Sequence, residues 1–208
     1  LCRALPLYAS TVDYGSYLHW ESITRTPAAA RGIAIEGSYA YVAADDHGLC
    51  VVDISNPARP SLLGSVDTPD RAFALALSGA YAYVADGASG LQVIDISEPG
   101  SPELIGSVAT PDRAVAIAIA GDHAYVAVGA SGLQIIDIRH PAAPVIVGTV
   151  DTPGEACDVA IAGTASSAGA AVDIDLIERT YLYLATDAGR ETLAANVAGQ
   201  RALGVPVE

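Results

Sequence analysis

Lysine is absent from the 208-residue sequence, so all ten basic residues are arginines, and 24 acidic residues stand against them. The resulting net charge of -14 repels phosphate groups, so nucleic acids and anionic membrane surfaces are unsuitable partners. No apolar run approaches the roughly 18 residues needed to cross a bilayer, and we expect no transmembrane segment. The acidity is suited to solubility and to cationic partners.

Cysteine is scarce, and the three present indicate neither a disulfide framework nor a zinc site. Common signatures of hydrolases, redox proteins and nucleotide-binding proteins are missing, including G-x-S-x-G, H-E-x-x-H, C-x-x-C and the P-loop. The chain begins without Met and shows no charged region followed by an apolar one, so we expect any targeting peptide to be absent or already removed. Leu1-Cys2 is either the end of a lipoprotein signal, with lipid on Cys2, or a chance pair.

What the sequence does contain is a repeat of 42 residues. Residues 70–111 and 112–153 match at 25 of 42 positions without a gap, and residues 28–69 follow the same frame. The shared positions are Tyr41/Tyr83/Tyr125, Gly48/Gly90/Gly132, Asp53/Asp95/Asp137, Pro57/Pro99/Pro141, Gly64/Gly106/Gly148 and Thr68-Pro69/Thr110-Pro111/Thr152-Pro153.

Each unit divides into four short apolar stretches, which in the second unit read AFALALSG, AYAYVADG, GLQVIDIS and PELIGSVAT. Stretches of this length, bounded by Gly, Pro, Asp and Ser, are typical of strands. Four strands in about 40 to 45 residues is the size of a β-propeller blade. We therefore predict an all-β propeller, with Ala74 and Ala76 on a crowded inner strand where only a methyl group fits.

Asp53, Asp95 and Asp137 each stand between the third apolar stretch and a turn. A carboxylate in this position accepts backbone N–H groups that the turn leaves unpaired. We predict a structural role for all three and not a catalytic one.

The units resemble the LVIVD repeat family, through the third stretch LQVIDIS, the following NPARP or EPGSP, and the GSV.TP end. The resemblance covers residues 28–153 well and the two ends weakly. It implies a β-propeller in a bacterial or archaeal protein of the cell surface or the extracellular space. It implies no shared catalytic residue.

The whole chain, residues 1–208, is predicted to form one propeller of about four blades. Residues 28–69, 70–111 and 112–153 are full blades, and 154–208 is an irregular last blade with an insertion near 164–179. EACDVAIAG repeats the first strand, TYLYLATDAG the second and ETLAANVAG is a degenerate third. Residues 1–27 supply the missing outer strand, which closes the ring and removes exposed strand edges. A larger propeller shared between chains is the alternative.

Departures from the repeat indicate where a site lies. At the predicted channel mouth, acids and a thiol replace the arginines and apolar residues of the other units, and we take this as a candidate site. Its candidate residues are Arg31, Arg71, Arg113, Glu155, Cys157 and Asp158. A cationic neighbour activates a Cys thiolate, whereas the alternative is a small core Cys with salt bridges around it.

Two further departures contain carboxylates that suit a metal. Asp45, Asp46 and His47 replace GASG in a hairpin, although Asp and Gly are also ordinary turn residues. Asp173, Asp175 and Glu178 follow the insertion and are candidate Ca²⁺ ligands, although no EF-hand pattern is present. No other cofactor is indicated, and the insertion is a natural place for partner contact.

We therefore favour a non-enzymatic binding or assembly module of a cell-surface or secreted protein, recognising protein or glycan through one propeller face. One alternative is an enzyme with its site at the channel mouth, because fold does not exclude catalysis. The other is a structural subunit of a larger assembly or oligomer.

Overall fold

The computed structural model describes residues 24–162 and the backbone of 173–177 and 181–185. All regular structure in this part of the chain is β. The strands are β1 (Gly32–Glu36), β2 (Tyr39–Ala43), β3 (Leu49–Asp53), β4 (Ser61–Val66), β5 (Ala74–Ser78), β6 (Tyr81–Ala85), β7 (Leu91–Asp95), β8 (Glu103–Val108), β9 (Ala114–Ala120), β10 (His123–Val128), β11 (Leu133–Asp137), β12 (Val145–Val150), β13 (Val159–Ala162), β14 (Asp173–Ile177) and β15 (Tyr181–Ala185).

Each full repeat forms one four-stranded antiparallel sheet, as predicted. The sheets have the orders β1-β2-β3-β4, β5-β6-β7-β8 and β9-β10-β11-β12, and they are called blades one, two and three. Their registers coincide, since Tyr41 pairs with Val51 and Tyr83 pairs with Val93. The 42-residue period therefore produces three copies of one antiparallel blade.

Neighbouring blades pack through their first strands, which are the inner strands of the array. β1 packs on β5, β5 on β9 and β9 on β13. On β5, Leu75 joins the buried cluster of blade one, whereas Ala74 and Ala76 pack against the cluster shared with blade three. The small side chains let the next blade approach closely, which accounts for the alternation of Ala with larger residues.

Backbone hydrogen bonds also join one blade to the next. The hairpin between the second and third strands of each blade pairs with a residue at or just before the start of the next inner strand, at Asp45–Ala72, Gly87–Ala114 and Gly129–Ala156. The last of these pairs extends the series beyond blade three, so the fourth unit begins in the same way as the others.

The fourth unit departs from the blade pattern after its first strand. β13 packs on β9 in the position of a first strand, and β15 pairs with β13 in the position of a second strand. However, β15 runs parallel to β13, and β14 from the predicted insertion pairs antiparallel with β15 on the other side. A parallel pair requires a long crossover connection, and the insertion between Ala162 and Tyr181 supplies one. The fourth unit thus differs from blades one to three, in which the first and second strands pair antiparallel.

The predicted closing segment lies largely outside the described residues, as does the degenerate third strand at 191–199. Residues 24–31 are described and contain no strand. Three blades are thus observed, and they form a propeller-like array. The part of the chain that the structure describes contains no helix able to span a membrane.

Gly90 lies in the hairpin between the second and third strands of blade two, and its substitution tests whether this hairpin requires glycine. Its φ is +78°, and an added Cβ would collide with the backbone of Val108 and Thr110. Gly90→Ala should lower the free energy of unfolding by about 2 kcal/mol or more, because the left-handed conformation alone costs about 1 to 2 kcal/mol. Gly79 is the matched control, since its φ is +56° and nothing lies within 4 Å of an added Cβ. Equal losses for Gly79→Ala and Gly90→Ala in urea unfolding would contradict this account.

Candidate functional site

One end of the array gathers most of the predicted site residues. It consists of the second hairpins of the three blades, 44–48, 86–90 and 128–132, and the connections into the inner strands, 67–73, 109–113 and 151–158, with Arg31 before β1. We call this end the arginine rim. The opposite end is formed by the first and third turns of each blade.

The backbone of the arginine rim is held by side chains that repeat from unit to unit. The hydroxyls of Thr110 and Thr152 donate to the carbonyl oxygen two residues later, as in Thr110 to Asp112 at 2.7 Å, whereas that of Thr68 donates to the carboxylate of Asp86. The carboxylates of Asp70 and Asp112 accept the hairpin N–H groups of Ala88 at 2.7 Å and Ala130 at 2.9 Å. These two aspartates are structural, and their proximity to the hairpins is not evident from sequence spacing.

At the opposite end, the repeated aspartates have the predicted contacts. Asp53 and Asp95 accept the backbone N–H groups of the serines two residues on, at 2.8 and 2.9 Å. Asp137 accepts the N–H of Arg139 and pairs with its guanidinium group. Hydrogen bonding lowers the pKa of all three carboxyls, and that of Asp137 falls to about 2.

Asp45 is an exception among the hairpins of the arginine rim. Its φ of +46° lies in the left-handed region, where blades two and three have Gly87 and Gly129. Its Oδ2 accepts Nη2 of Arg31 at 2.6 Å and Nε at 3.1 Å. Its Oδ1 is buried and receives no hydrogen bond within the described residues, and Nε of Arg71 lies 3.6 Å away. Asp45 therefore links an arginine of blade one to an arginine of blade two.

The predicted metal trio in this hairpin does not converge. Asp45 faces the two arginines, whereas Nδ1 of His47 lies 3.2 Å from Oδ1 of Asp46 on the exposed side. Among the residues the structure describes, no group of three His, Cys, Asp or Glu side chains is arranged to hold a metal ion. The side chains of the other trio, Asp173, Asp175 and Glu178, lie outside the described part, so a Ca²⁺ site there stays a prediction.

Phe73 lies at the centre of the arginines. The guanidinium carbon of Arg31 is 5.6 Å from the centre of its ring, and that of Arg113 is 5.1 Å away, both within the range of a cation–π interaction. Phe73 is the single phenylalanine of the sequence and occupies the repeat position of Arg31. Phe73 was not among the predicted site residues, and its uniqueness in the sequence was the signal that could have identified it.

The acids and thiol of the last unit do not join this cluster. Glu155, Cys157 and Asp158 are exposed. The thiol of Cys157 contacts the carbonyl oxygen of Glu155 at 3.6 Å, and the carboxylate of Asp158 accepts the N–H of Val159 at 2.8 Å. In residues 24–162 no hydrogen bond or ion pair connects these three side chains to the arginines. Cys157 and the buried Cys50 are both free thiols.

A buried carboxyl group beneath the rim is specific to blade two. Asp86 is fully buried, whereas blades one and three have Ala44 and Val128 at the same position. Its oxygens accept the hydroxyl of Thr68 at 2.6 Å and the N–H of Asp70 at 3.0 Å. Burial nevertheless raises the pKa of Asp86, because the charged form loses hydration.

A second candidate surface is the open face of blade one. Ile33 on β1 is 65% exposed, whereas its equivalents Leu75 and Ile117 are each 9% exposed because a preceding blade covers them. A groove of about 390 Å³ lies on this face, and its lining includes Val42, Val52 and Thr24. The hydroxyl of Thr24 donates to the carbonyl oxygen of Pro60 at 2.7 Å.

The repeat units match a known family. The profile of the LVIVD repeat matches residues 27–68, 71–110 and 112–152. Among solved structures, the crystal structure of the computationally designed Ika4 protein is similar, with 14% identity over 68% of this chain and 84% of that chain and a TM-score of 0.55. The computationally designed Ika8 protein has 14% identity over 62% of this chain and 39% of that chain, with a TM-score of 0.52. No curated protein matches the sequence.

Asp86 predicts a pH dependence of stability. Its folded-state pKa lies above the usual value of 3.8, so the native state holds its proton more tightly than the unfolded state. The free energy of unfolding should therefore fall, relative to Asp86→Asn, as pH rises from the unfolded pKa through the folded pKa. Urea unfolding of both proteins across this range measures the difference. A difference that does not change with pH would contradict the assignment, and Asp46→Asn, at an exposed carboxyl group, is the control.

Proposed function

Because the chain belongs to the LVIVD repeat family, we propose that it is a non-enzymatic binding module of a cell-surface or secreted protein. Its partner is a protein or a glycan, and the arginine rim is the recognising face. The repeat and the propeller-like array support a binding or structural module as the general class. The cell-surface or extracellular location and the protein or glycan partner are proposed beyond this general class.

The observation that carries this proposal is the variation of side chains on a constant backbone. At the arginine rim, one repeat position holds Arg31, Phe73, Val115 and Cys157 in successive units. At the opposite end, by contrast, the three repeated aspartates keep the same turn contacts. Binding residues are commonly found on loops that a rigid scaffold positions. The arginine rim has this arrangement, because its side chains vary while the backbone that carries them repeats from blade to blade.

A structural role in a larger assembly is the second candidate. The outer strands carry exposed apolar side chains, including Leu63 at 42%, Val145 at 56% and Val147 at 55% exposure. Large exposed apolar patches often mark protein contacts. This role would place the contact on the periphery of the array and not at the arginine rim.

The proposed module is a ring of four blades, with the last blade built from both ends of the chain. The open face of blade one supports this closure. In blade two, the equivalent face is covered by Tyr41, Ala43, Leu49 and Val51 from the second and third strands of blade one. The groove beside Ile33 is the place that the same two strands of a closing blade would occupy.

The position of Thr24 also supports closure. Gly64 lies on β4, the outer strand of blade one, and approaches the backbone of Pro99 and Gly100 in the third turn of blade two. Thr24 reaches Pro60, in the third turn of blade one, in a corresponding way. This contact supports a closing outer strand supplied by the segment before Thr24, in the blade that would precede blade one.

Closure can be tested by a charge on the open face. If a fourth blade covers Ile33, Ile33→Asp should lower the free energy of unfolding by about 3 kcal/mol, since an unpaired charge becomes buried. Val147→Asp, on an outer strand, should cost at most about 0.5 kcal/mol. Chemical denaturation measures both variants. Small and equal losses would show that the face of blade one stays open to solvent.

The rim can be tested by replacing its arginines. Immobilised protein is probed with a panel of glycans and with purified surface proteins of the source organism. Any specific partner should be lost, by about tenfold or more in affinity, when Arg31, Arg71 and Arg113 are changed to Gln, because charge-assisted hydrogen bonds are lost. Arg59→Gln at the opposite end is the control. A partner that binds the triple variant unchanged would contradict the assignment of this rim.

A further inference from the structure

We infer that the last unit of the chain docks into the groove on blade one with the face formed by β13, β15 and β14. This inference rests on the proposed closure of the ring and names the strands that complete it. Because β14 belongs to the predicted insertion, the insertion supplies the third strand of the closing blade in place of residues 191–199.

The groove on blade one repeats the face by which blade two docks on blade one. Six of its apolar lining residues have counterparts 42 residues later that all belong to the buried cluster between blades one and two. The pairs are Ala30/Ala72, Ile33/Leu75, Ala40/Ala82, Val42/Val84, Val52/Ile94 and Ile54/Ile96. The groove therefore has the composition of a surface that receives a preceding blade.

A second open face lies on the last unit, at the far side of the array. Val159 of β13 is buried against blade three, whereas the next residue, Ala160, is exposed. The counterparts of Ala160 are Ala76 and Ala118, which pack against the buried clusters shared with the following unit. β13 therefore presents the face that a following blade covers, and in a closed ring that blade is blade one.

The strand pairing rebuilds the docking residues of a blade on this face. In blade two, Tyr83 is opposite Ala76. In the last unit, Tyr183 of β15 is opposite Ala160. Directly opposed residues of neighbouring strands share one face of a sheet, and reversing a strand leaves the alternation of its residues unchanged. Tyr183 therefore occupies the repeated tyrosine position, although β15 runs parallel to β13.

β14 takes the position of a third strand beside β15. In blade two, Val93 is opposite Tyr83 and is fully buried. In the last unit, Asp175 is opposite Tyr183. A carboxyl group thus stands in the place of a buried valine, so this contact should be weaker than those between the other blades. Among the described residues that line the groove, Arg31 is the one that carries charge, and its charge is of the opposite sign.

A second copy of the chain would offer the same face, but the same chain is the better occupant. Each copy carries a net charge of -14, so two copies repel each other. A face that is tethered to the array also has a high effective concentration at the groove.

A double-mutant cycle on the full chain tests this docking. Ile33→Ala and Tyr183→Ala are measured singly and together by urea unfolding. The unfolding constant of the double variant should differ by about threefold or more from the product of the single effects. Leu182→Ala is the matched control, because Leu182 is opposite Val159 on the other face of β15, and its effect should multiply with that of Ile33→Ala.

Asp175→Val is a second test, which does not depend on a loss of stability. If Asp175 stands in the contact, the valine should lower the unfolding constant by about tenfold, because a charge is no longer buried. Asp173→Val, at the end of the same strand, is the control and should change the constant by less than about twofold.

Independent effects of Ile33→Ala and Tyr183→Ala would overturn the inference, as would an unfolding constant that Asp175→Val leaves unchanged. A coupling that disappears on dilution of the protein would assign the groove to a second copy instead. A large loss for Ile33→Asp without coupling to Tyr183 would leave closure standing and assign it to other strands. Partner binding at the arginine rim is measured separately, so none of these results bears on the proposed binding function.

Discussion

The packing of each inner strand against the blade before it is the interaction on which the rest of the structure depends. A four-stranded sheet with apolar residues on both faces cannot bury them alone. Leu75 and Ile117 are buried only because the second and third strands of the preceding blade cover them. Ala74 and Ala76 keep the other face thin enough for the next blade to approach. The near-identity of the units follows from this requirement, since each blade must fit both neighbours.

The arginine rim is a consequence of the same packing. Stacked blades bring the hairpin of one unit beside the start of the next inner strand, and this places Asp45 against Arg71 and Phe73 against Arg113. The invariant Thr-Pro and aspartate contacts hold the backbone, so the side chains at the rim are free to differ. Asp45 adopts a conformation that glycine adopts in the other blades, and its pairing with Arg31 offsets part of that strain.

Much of the fold follows from local sequence. Turn residues and short apolar stretches predicted all the strands of blades one to three, and the turn contacts of Asp53, Asp95 and Asp137 involve residues only two positions away. The contacts of the rim were less predictable, because Arg71 and Asp45 meet only when blades stack at a particular angle. The parallel direction of β15 depends on how a long connection crosses over, and the spacing of TYLYLA carries no information about it.

The most direct test of the account is native-state hydrogen exchange at the amides that join the blades. The N–H groups of Ala72, Ala114 and Ala156 donate to Asp45, Gly87 and Gly129 of the preceding hairpin, at 2.9 Å in each case. If stacking holds the array together, these amides should exchange as slowly as that of Tyr83 in the middle of blade two. Exchange at the rate of exposed loop amides would show that the blades fold without depending on one another.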